Sequence, residues 1–296
     1  MDYIEKKIKE YKPNIKESTI LAYLQNIKRI YKLLDLDVRD NLNELLDKDK
    51  IDSLFKDRKY TTIRNVYNSV IVVLQALDAD PDVIDEYVKH RDKYNNDYAT
   101  WTSKNIKSKT QEENWISMEE VLDILEYWKT FDRQKHLLLS LFIQYPFRNN
   151  MRNLEIITYA KYNKLKEEDK KHRNFFIKRQ RPLNYWFSFN DYKTEGKYGE
   201  RFVKISDEFY KDIGVFLRKN NPKNFLFETE DNEEFTTNEF TRYFKSIFKK
   251  TEKQISTTLL RHIIVSHAFS DSKKEQEEMA KNMGHSLNMS NDYIKY

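Results

Sequence analysis

Along the first hundred positions, apolar side chains recur at the three- and four-residue steps of a helix that buries one face. Tyr3–Tyr11 reads as a short helix. The segment Asn14-Ile-Lys-Glu-Ser-Thr leads into a second over Ile20–Leu34. There Ile20, Leu21, Leu24, Ile27, Ile30, Tyr31 and Leu34 share a stripe, and Ser18 or Thr19 is placed to cap it. The pattern predicts a third helix over roughly Asn41–Phe55. A fourth covers Thr61–Leu77 on the stripe Ile63, Val66, Val70, Val73 and Leu74. A fifth, after the turn at Asp80-Pro81, runs from Val83 to about Tyr94.

The period then lapses. KYNNDYATWTSKNIKSKTQEEN, from Lys93 to Asn114, is rich in Lys, Asn, Ser and Thr and reads as a linker. It divides the chain into a helical domain over 1–92, a linker over 93–114 and a second domain over 115–296. In the second domain, Ser117 three residues before Glu120 predicts a capping box ahead of an apolar helix. Arg133–Tyr145 is the next helix, closed by Pro146. Short β-like runs follow at Asn174–Lys178, Tyr185–Asn190 and Arg201–Ile205, the last two joined by a polar turn around Lys193. Helices resume at Asp207–Lys219, Thr237–Lys250, Ser256–Ala268 and Lys273–Met283. The fold class is therefore mainly α: an all-helical domain, then a mostly helical α+β domain with one small antiparallel sheet.

Composition narrows the chemistry. With no cysteine, thiolate nucleophiles, disulfides and zinc–thiolate sites are excluded. The aromatic content of 14% argues against disorder. The longest apolar runs, such as Leu137–Ile143, fall far short of the roughly 20 residues that cross a bilayer, and the charged start MDYIEKKIKEYK is unlike a signal peptide. These features predict a soluble protein of intracellular type. The net charge of +5 permits nucleic-acid binding without demanding it.

Four stretches of the second domain carry polar residues that packing does not explain. They are Pro146-Phe-Arg-Asn-Asn-Met-Arg-Asn-Leu-Glu-Ile, Tyr192-Lys-Thr-Glu-Gly-Lys, Ser256-Thr-Thr-Leu-Leu-Arg-His-Ile-Ile-Val-Ser-His and the terminal MGHSLNMSNDYIKY. His262 and His267 do not suggest a metal pair. Five residues apart, they stand about 140° round a helix, whereas helical ligand pairs use a four-residue step.

In order, these stretches give an arginine, a lysine on a β-turn, Leu260-Arg261-His262, Gly284-His285-Ser286 and a tyrosine near the end. This resembles the tyrosine recombinase, or phage-integrase-like, family across both domains. The style of Pro146-Phe-Arg-Asn and Trp115-Ile-Ser looks most like integrases of large eukaryotic DNA viruses, virophages and related transposons. The resemblance implies a SAM-like, core-binding N-terminal DNA-binding domain and a catalytic domain over 115–296. Tyr293 would be the nucleophile that forms a 3′-phosphotyrosyl bond. Arg148 and Arg261 would hold the scissile phosphate, Lys193 would protonate the leaving 5′-oxygen, and His285 would hydrogen-bond beside the phosphate. The implied partners are double-stranded DNA and three further copies of the chain, a homotetramer on paired sites. No cofactor, metal or membrane is implied, and the expected location is intracellular, with access to DNA in the cytoplasm or a host nucleus.

These residue types suit the chemistry in their own right. Attack on a phosphodiester builds negative charge on the non-bridging oxygens, which planar guanidinium groups clamp with paired hydrogen bonds. Such stabilisation is usually the largest catalytic contribution. A leaving alkoxide needs a proton, which a lysine can give. A tyrosine, with a pKa of about 10, needs nearby cations to become a good nucleophile. A covalent intermediate conserves the phosphoester bond, so rejoining needs no ATP.

The sequence departs from the family pattern in three places. Thr258 stands where a histidine is usual, three residues before Arg261. A threonine is no general base, so His262 or His285 would have to compensate. Tyr293 follows His285 by eight residues where nine is commoner, and Tyr296 is the competing nucleophile. Arg152 heads a segment resembling Arg-x-x-Glu-Leu and competes with Arg148, which is preferred because it sits closer to the end of the preceding helix. Two alternative functions share much of this pattern: a non-catalytic DNA-binding descendant, and a type IB topoisomerase-like activity that relaxes supercoils.

Overall fold

The computed structural model describes residues 1–38, 42–103, 106–147, 149–192 and 195–282. The chain divides into two compact units, Met1–Ile106 and Lys107–Tyr296.

The first unit is helical throughout. Helices α1 (Asp2–Tyr11), α2 (Glu17–Leu33), α3 (Lys48–Phe55), α4 (Tyr60–Ala76) and α5 (Pro81–Ser103) surround a core of mostly aliphatic side chains. The stripe read on α4 is buried in full, and Tyr67, Ile71 and Val72 are buried beside it, so α4 is the central helix. On α2 the residues Ile20, Leu24, Ile27, Ile30 and Tyr31 are buried, but Leu21 faces outward.

Three local expectations are corrected in this unit. The cap of α2 is Lys16, and neither Ser18 nor Thr19 bonds the helix start. The third predicted helix is split into a 3-10 turn at Asn43–Leu46 and α3, because Asp47 turns outward and its carboxylate caps Lys50. The fifth helix does not stop near Tyr94 but runs on to Ser103. Its distal part lacks an apolar stripe, which is why sequence periodicity loses it.

The second unit opens with α6 (Lys109–Asn114) and α7 (Met118–Phe131). The predicted capping box is present, with Ser117 N–H donating to Glu120 Oε2 at 2.7 Å and Glu120 N–H donating to Ser117 Oγ at 3.1 Å. Helix α8 (Arg133–Gln144) is buried along its second half and feeds the sheet. The strands are β1 (Leu154–Thr158), β2 (Asn174–Gln180), β3 (Leu183–Phe189) and β4 (Arg201–Lys204), in the spatial order β1-β2-β3-β4. One-turn helices α9 (Tyr159–Tyr162) and α10 (Glu167–Lys170) connect β1 to β2, and α11 (Glu195–Tyr198) lies between β3 and β4. Helices α12 (Tyr210–Asn220), α13 (Thr237–Ile247) and α14 (Thr257–Asn282) complete the unit.

The sheet holds one more strand than expected. β2–β3 and β3–β4 are antiparallel, but β1 adds a parallel edge to β2. The outer side of β1 is covered by residues 224–226: Ile156 N–H donates to the Asn224 carbonyl and Leu226 N–H to the Leu154 carbonyl, each at 2.8 Å. Alternation along the strands sends Phe176, Tyr185, Phe187 and Phe189 into the main core. Phe175, Ile177 and Trp186 go to a second cluster around Tyr162 on the other face. Near the end of the described chain, the two helices expected at Ser256–Ala268 and Lys273–Met283 are a single helix, α14.

Candidate active site

The segment that carries Arg148 is fixed on both sides. Tyr145 caps the end of α8, Pro146 comes next, and Phe147 N–H turns back to the Tyr145 carbonyl at 2.5 Å. The Tyr145 ring lies flat against Phe147, with centroids 5.8 Å apart. Phe147 in turn meets Phe189 edge-on at 4.8 Å and Phe187 at 6.1 Å, so the exit of α8 is packed onto the end of β3. The Arg201 guanidinium stands 4.7 Å above the Phe147 ring. On the far side, a 3-10 turn over Asn149–Asn153 buries Met151 and leads directly into β1.

Arg152, the competing first arginine, is engaged in packing the unit. Its Nη1 donates to the Phe235 carbonyl at 3.0 Å and lies 3.6 Å from the Glu234 carboxylate.

The connection that carries Lys193 is pinned at entry and exit. At its entry, the buried Asn174 side chain accepts from Asn190 N–H at 3.0 Å and Asp191 N–H at 2.9 Å. Across its base, the Tyr192 hydroxyl donates to the Gly199 carbonyl at 2.7 Å. Gly199 has φ +66°, a left-handed conformation that suits glycine. At the exit, the Glu200 carboxylate accepts from the Ser188 hydroxyl at 2.7 Å and from the Tyr162 hydroxyl.

Arg261 lies in the second turn of α14. Its neighbours Leu259, Leu260 and Ile263 belong to the core that also holds Phe147 and Phe189, and the Ser256 hydroxyl accepts from Leu259 N–H at 3.2 Å where the helix begins. Arg261 is half-buried, while His262, His267 and Thr258 are exposed. Among the described residues no cluster of metal-ligating side chains is present. No described helix is long and apolar enough to cross a membrane.

Of the other residues assigned by sequence, Arg148, Lys193, His285 and Tyr293, together with Tyr296, lie outside the described residues. The structure therefore brings together the segments flanking Arg148 and Lys193 and sets Arg261 on a helix of the same core. Sequence reading missed the polar cluster between those segments, formed by Asn153, Asn174, Asn190, Ser188, Glu200 and Tyr162. An isolated asparagine or serine in a strand carries no periodic signal.

Five tyrosines within the described residues are poor nucleophile candidates. Burial, reinforced by the hydrogen bond to Glu200, pushes the Tyr162 phenol well above its ordinary pKa. Burial is also the leading cause of the upward shifts of Tyr87, Tyr185, Tyr210 and Tyr243. Each of these phenols is held in its protonated form.

No protein-family model matches the sequence, and no curated protein resembles it in sequence. Solved structures do resemble it in fold. The Tn1549 transposon integrase in complex with transposon right-end DNA is similar over 99% of this chain and 94% of that one, with a TM-score of 0.54 and 14% identity. The same integrase in complex with circular intermediate DNA gives a TM-score of 0.53 at 13% identity, covering 99% of this chain and 94% of that one. A lambda integrase dimer bound to a COC′ core site is similar over 99% of this chain and 76% of that one, at 13% identity and a TM-score of 0.47. At such identities, what the chain shares with the transposon integrase is its fold.

Proposed function

We propose that this chain is a site-specific DNA recombinase, an integrase that breaks and rejoins double-stranded DNA through a tyrosine–DNA bond. One observation carries the reading: the described residues that follow Arg148 into β1 and precede Lys193 after β3 meet at one end of one sheet, in a chain with the fold of a transposon integrase. Arg152 is tied to Phe235 and Glu234, which favours Arg148 as the first clamping arginine. The upward shifts of Tyr162, Tyr185, Tyr210 and Tyr243 disfavour these four as the nucleophile, and the family resemblance points to Tyr293, eight residues after His285.

In this mechanism Arg148 and Arg261 bind the non-bridging oxygens of the scissile phosphate and stabilise the charge that grows there. The Tyr293 phenolate oxygen attacks phosphorus, the phosphorus–O5′ bond breaks, and the proton on Lys193 passes to the departing 5′-oxygen. The products are a 3′-phosphotyrosyl bond and a free 5′-hydroxyl. Rejoining reverses these steps: a 5′-hydroxyl, from the same or a second duplex, attacks phosphorus and releases the tyrosine. His285 hydrogen-bonds beside the phosphate. Exchange between two duplexes takes four copies of the chain, and the likeness to a transposon integrase supports a mobile-element setting.

Thr258 favours a second reading, a DNA-binding protein that keeps the fold without the chemistry, because the usual histidine is absent there. A suicide substrate, nicked so that cleavage cannot be reversed, separates the two. The recombinase reading predicts a covalent adduct with the wild-type chain, its loss in Tyr293→Phe and its retention in Tyr296→Phe. No adduct with the wild-type chain would establish the binding reading. An adduct with Tyr293→Phe would remove Tyr293 from its role.

A further inference from the structure

The topology of the sheet sets up an unusual position. Because β1 is parallel to β2 and β3 antiparallel, β1 and β2 begin, and β3 ends, at one edge of the sheet. Asn174 is the first residue of the central strand there, paired with Leu154 on one side and Phe189 on the other. The chain arriving at Leu154 comes from Arg148, and the chain leaving Phe189 goes on to Lys193.

The Asn174 side chain uses this position in both directions. Its Nδ2 donates to Asn153 Oδ1 at 3.1 Å, holding the residue just before β1. The same Nδ2 donates to the Asp191 carbonyl at 3.1 Å, and its Oδ1 accepts from the Asn190 and Asp191 N–H groups. Asn190 extends the link, donating from Nδ2 to the Arg173 carbonyl at 3.1 Å and to Ser188 Oγ at 2.9 Å. Asn174 is 1% exposed, so these bonds form away from water, where each is stronger and a missing one costs more.

We infer that Asn174 is a positioning residue for the proposed DNA cleavage. It clasps the base of the lysine-bearing turn to the segment that follows the first arginine, so that the proton donor and the phosphate clamp keep a fixed relation. The inference rests on the recombinase reading. Satisfying the Asn190 and Asp191 N–H groups already serves fold stability; the bond to Asn153 goes beyond it, because it reaches the connection on the other side of the strand. A side chain that bonds two connections at once fixes their separation, which an apolar side chain cannot do.

The test compares two suicide substrates in the full-length chain: an ordinary one, and one with sulfur in place of the bridging 5′-oxygen at the cleavage site. A thiolate leaves far more readily than an alkoxide because its conjugate acid is stronger, so that cleavage does not need the lysine's proton. Asn174→Ala is expected to cleave the ordinary substrate about 10- to 100-fold more slowly than wild type, the scale of loss that a small misplacement of a reacting group brings. On the sulfur substrate its rate should return to that of wild type, with DNA affinity unchanged on both. Should Asn174→Ala fail to fold, Asn174→Asp keeps the two accepted N–H bonds, loses donation to Asn153 and Asp191, and is expected to show the same split. Equal losses on both substrates, or no loss on either, would overturn the positioning role. A wild-type chain that cleaves neither substrate would overturn the recombinase reading and the role of Asn174 with it, and is told apart because the defect is then present before any substitution.

Discussion

The two units place their buried polar groups in contrasting ways. In Met1–Ile106 the fully buried tyrosines donate to acceptors nearby in the helical core: Tyr31 to Glu44, Tyr67 to Asp52 and Tyr87 to the Leu45 carbonyl. Asp52 also accepts from Lys48, and Asn26 donates to the buried Ser69, so these bonds tie neighbouring helices of a largely aliphatic core. In Lys107–Tyr296 phenylalanine is the commonest core residue, and the buried side chains of Asn174, Asn190 and Ser188 form a connected line that runs from half-buried Asn153 to exposed Glu200. A single pair fixes one ring, whereas a line of bonds fixes how separate connections stand to one another. In the second unit that line joins the connections at one end of a sheet, whereas the bonds of the first unit tie helix to helix.

Three substitutions or conditions sharpen this contrast, and hydrogen exchange reads both units in the same molecule. The largest effect belongs to the aromatic core. Phe187 touches the rings of Tyr145, Phe147, Phe176 and Phe189, and Phe187→Ala is expected to cost about 3–5 kcal/mol. Exchange in β2 and β3 should accelerate accordingly while α4 keeps its protection. Equal acceleration in both units would contradict cores that are built separately.

Next comes a local fixture. Tyr87→Phe removes the 2.9 Å bond to the Leu45 carbonyl at nearly constant volume, for an expected cost of about 1 kcal/mol. The change should be confined to exchange in α5 and around the Asn43–Leu46 turn. A larger loss, or one that reaches the second unit, would mean that the pair is more than local.

The smallest effect is one of pH. Burial lowers the pKa of His136 from the ordinary value of 6.5. The folded state therefore resists a proton that the unfolded chain accepts. The associated stability is present above about 6.5 and is lost as the pH falls below it. The urea midpoint of the second unit should drop on acidification, and His136→Gln should flatten that part of the dependence. An unchanged slope in the variant would assign it to other groups.

Much of the helical architecture was legible because its apolar period is long: the stripes on α2 and α4 are the buried faces of those helices, except for exposed Leu21 and half-buried Leu34. The breaks were less legible. Asp47 interrupts an otherwise continuous helical pattern by capping, and α5 and α14 continue through stretches with no apolar stripe to announce them. Nothing in the sequence pattern marks Leu154–Thr158 as a strand. As a short edge strand paired in parallel, its partner lies beyond two one-turn helices, and no local turn signal marks it. The order of arginine, lysine, arginine, histidine and tyrosine was visible as residue types. The role of Asn174 was not, since only the pairing of β2 with both neighbours shows that one side chain reaches two connections.

The central claim is that Tyr293 forms the covalent bond to DNA, and it can be tested without any substitution. The wild-type chain is trapped on a suicide substrate, the DNA is trimmed to a short tag, and the digested protein is sequenced by mass spectrometry. Trypsin cleaves after Lys281 and Lys295, so Tyr293 falls in the peptide from Asn282 to Lys295 and Tyr296 falls outside it. The account predicts the nucleotide tag on Tyr293 within that peptide. A tag on Tyr296, or on a tyrosine of the described core such as Tyr162, would contradict it.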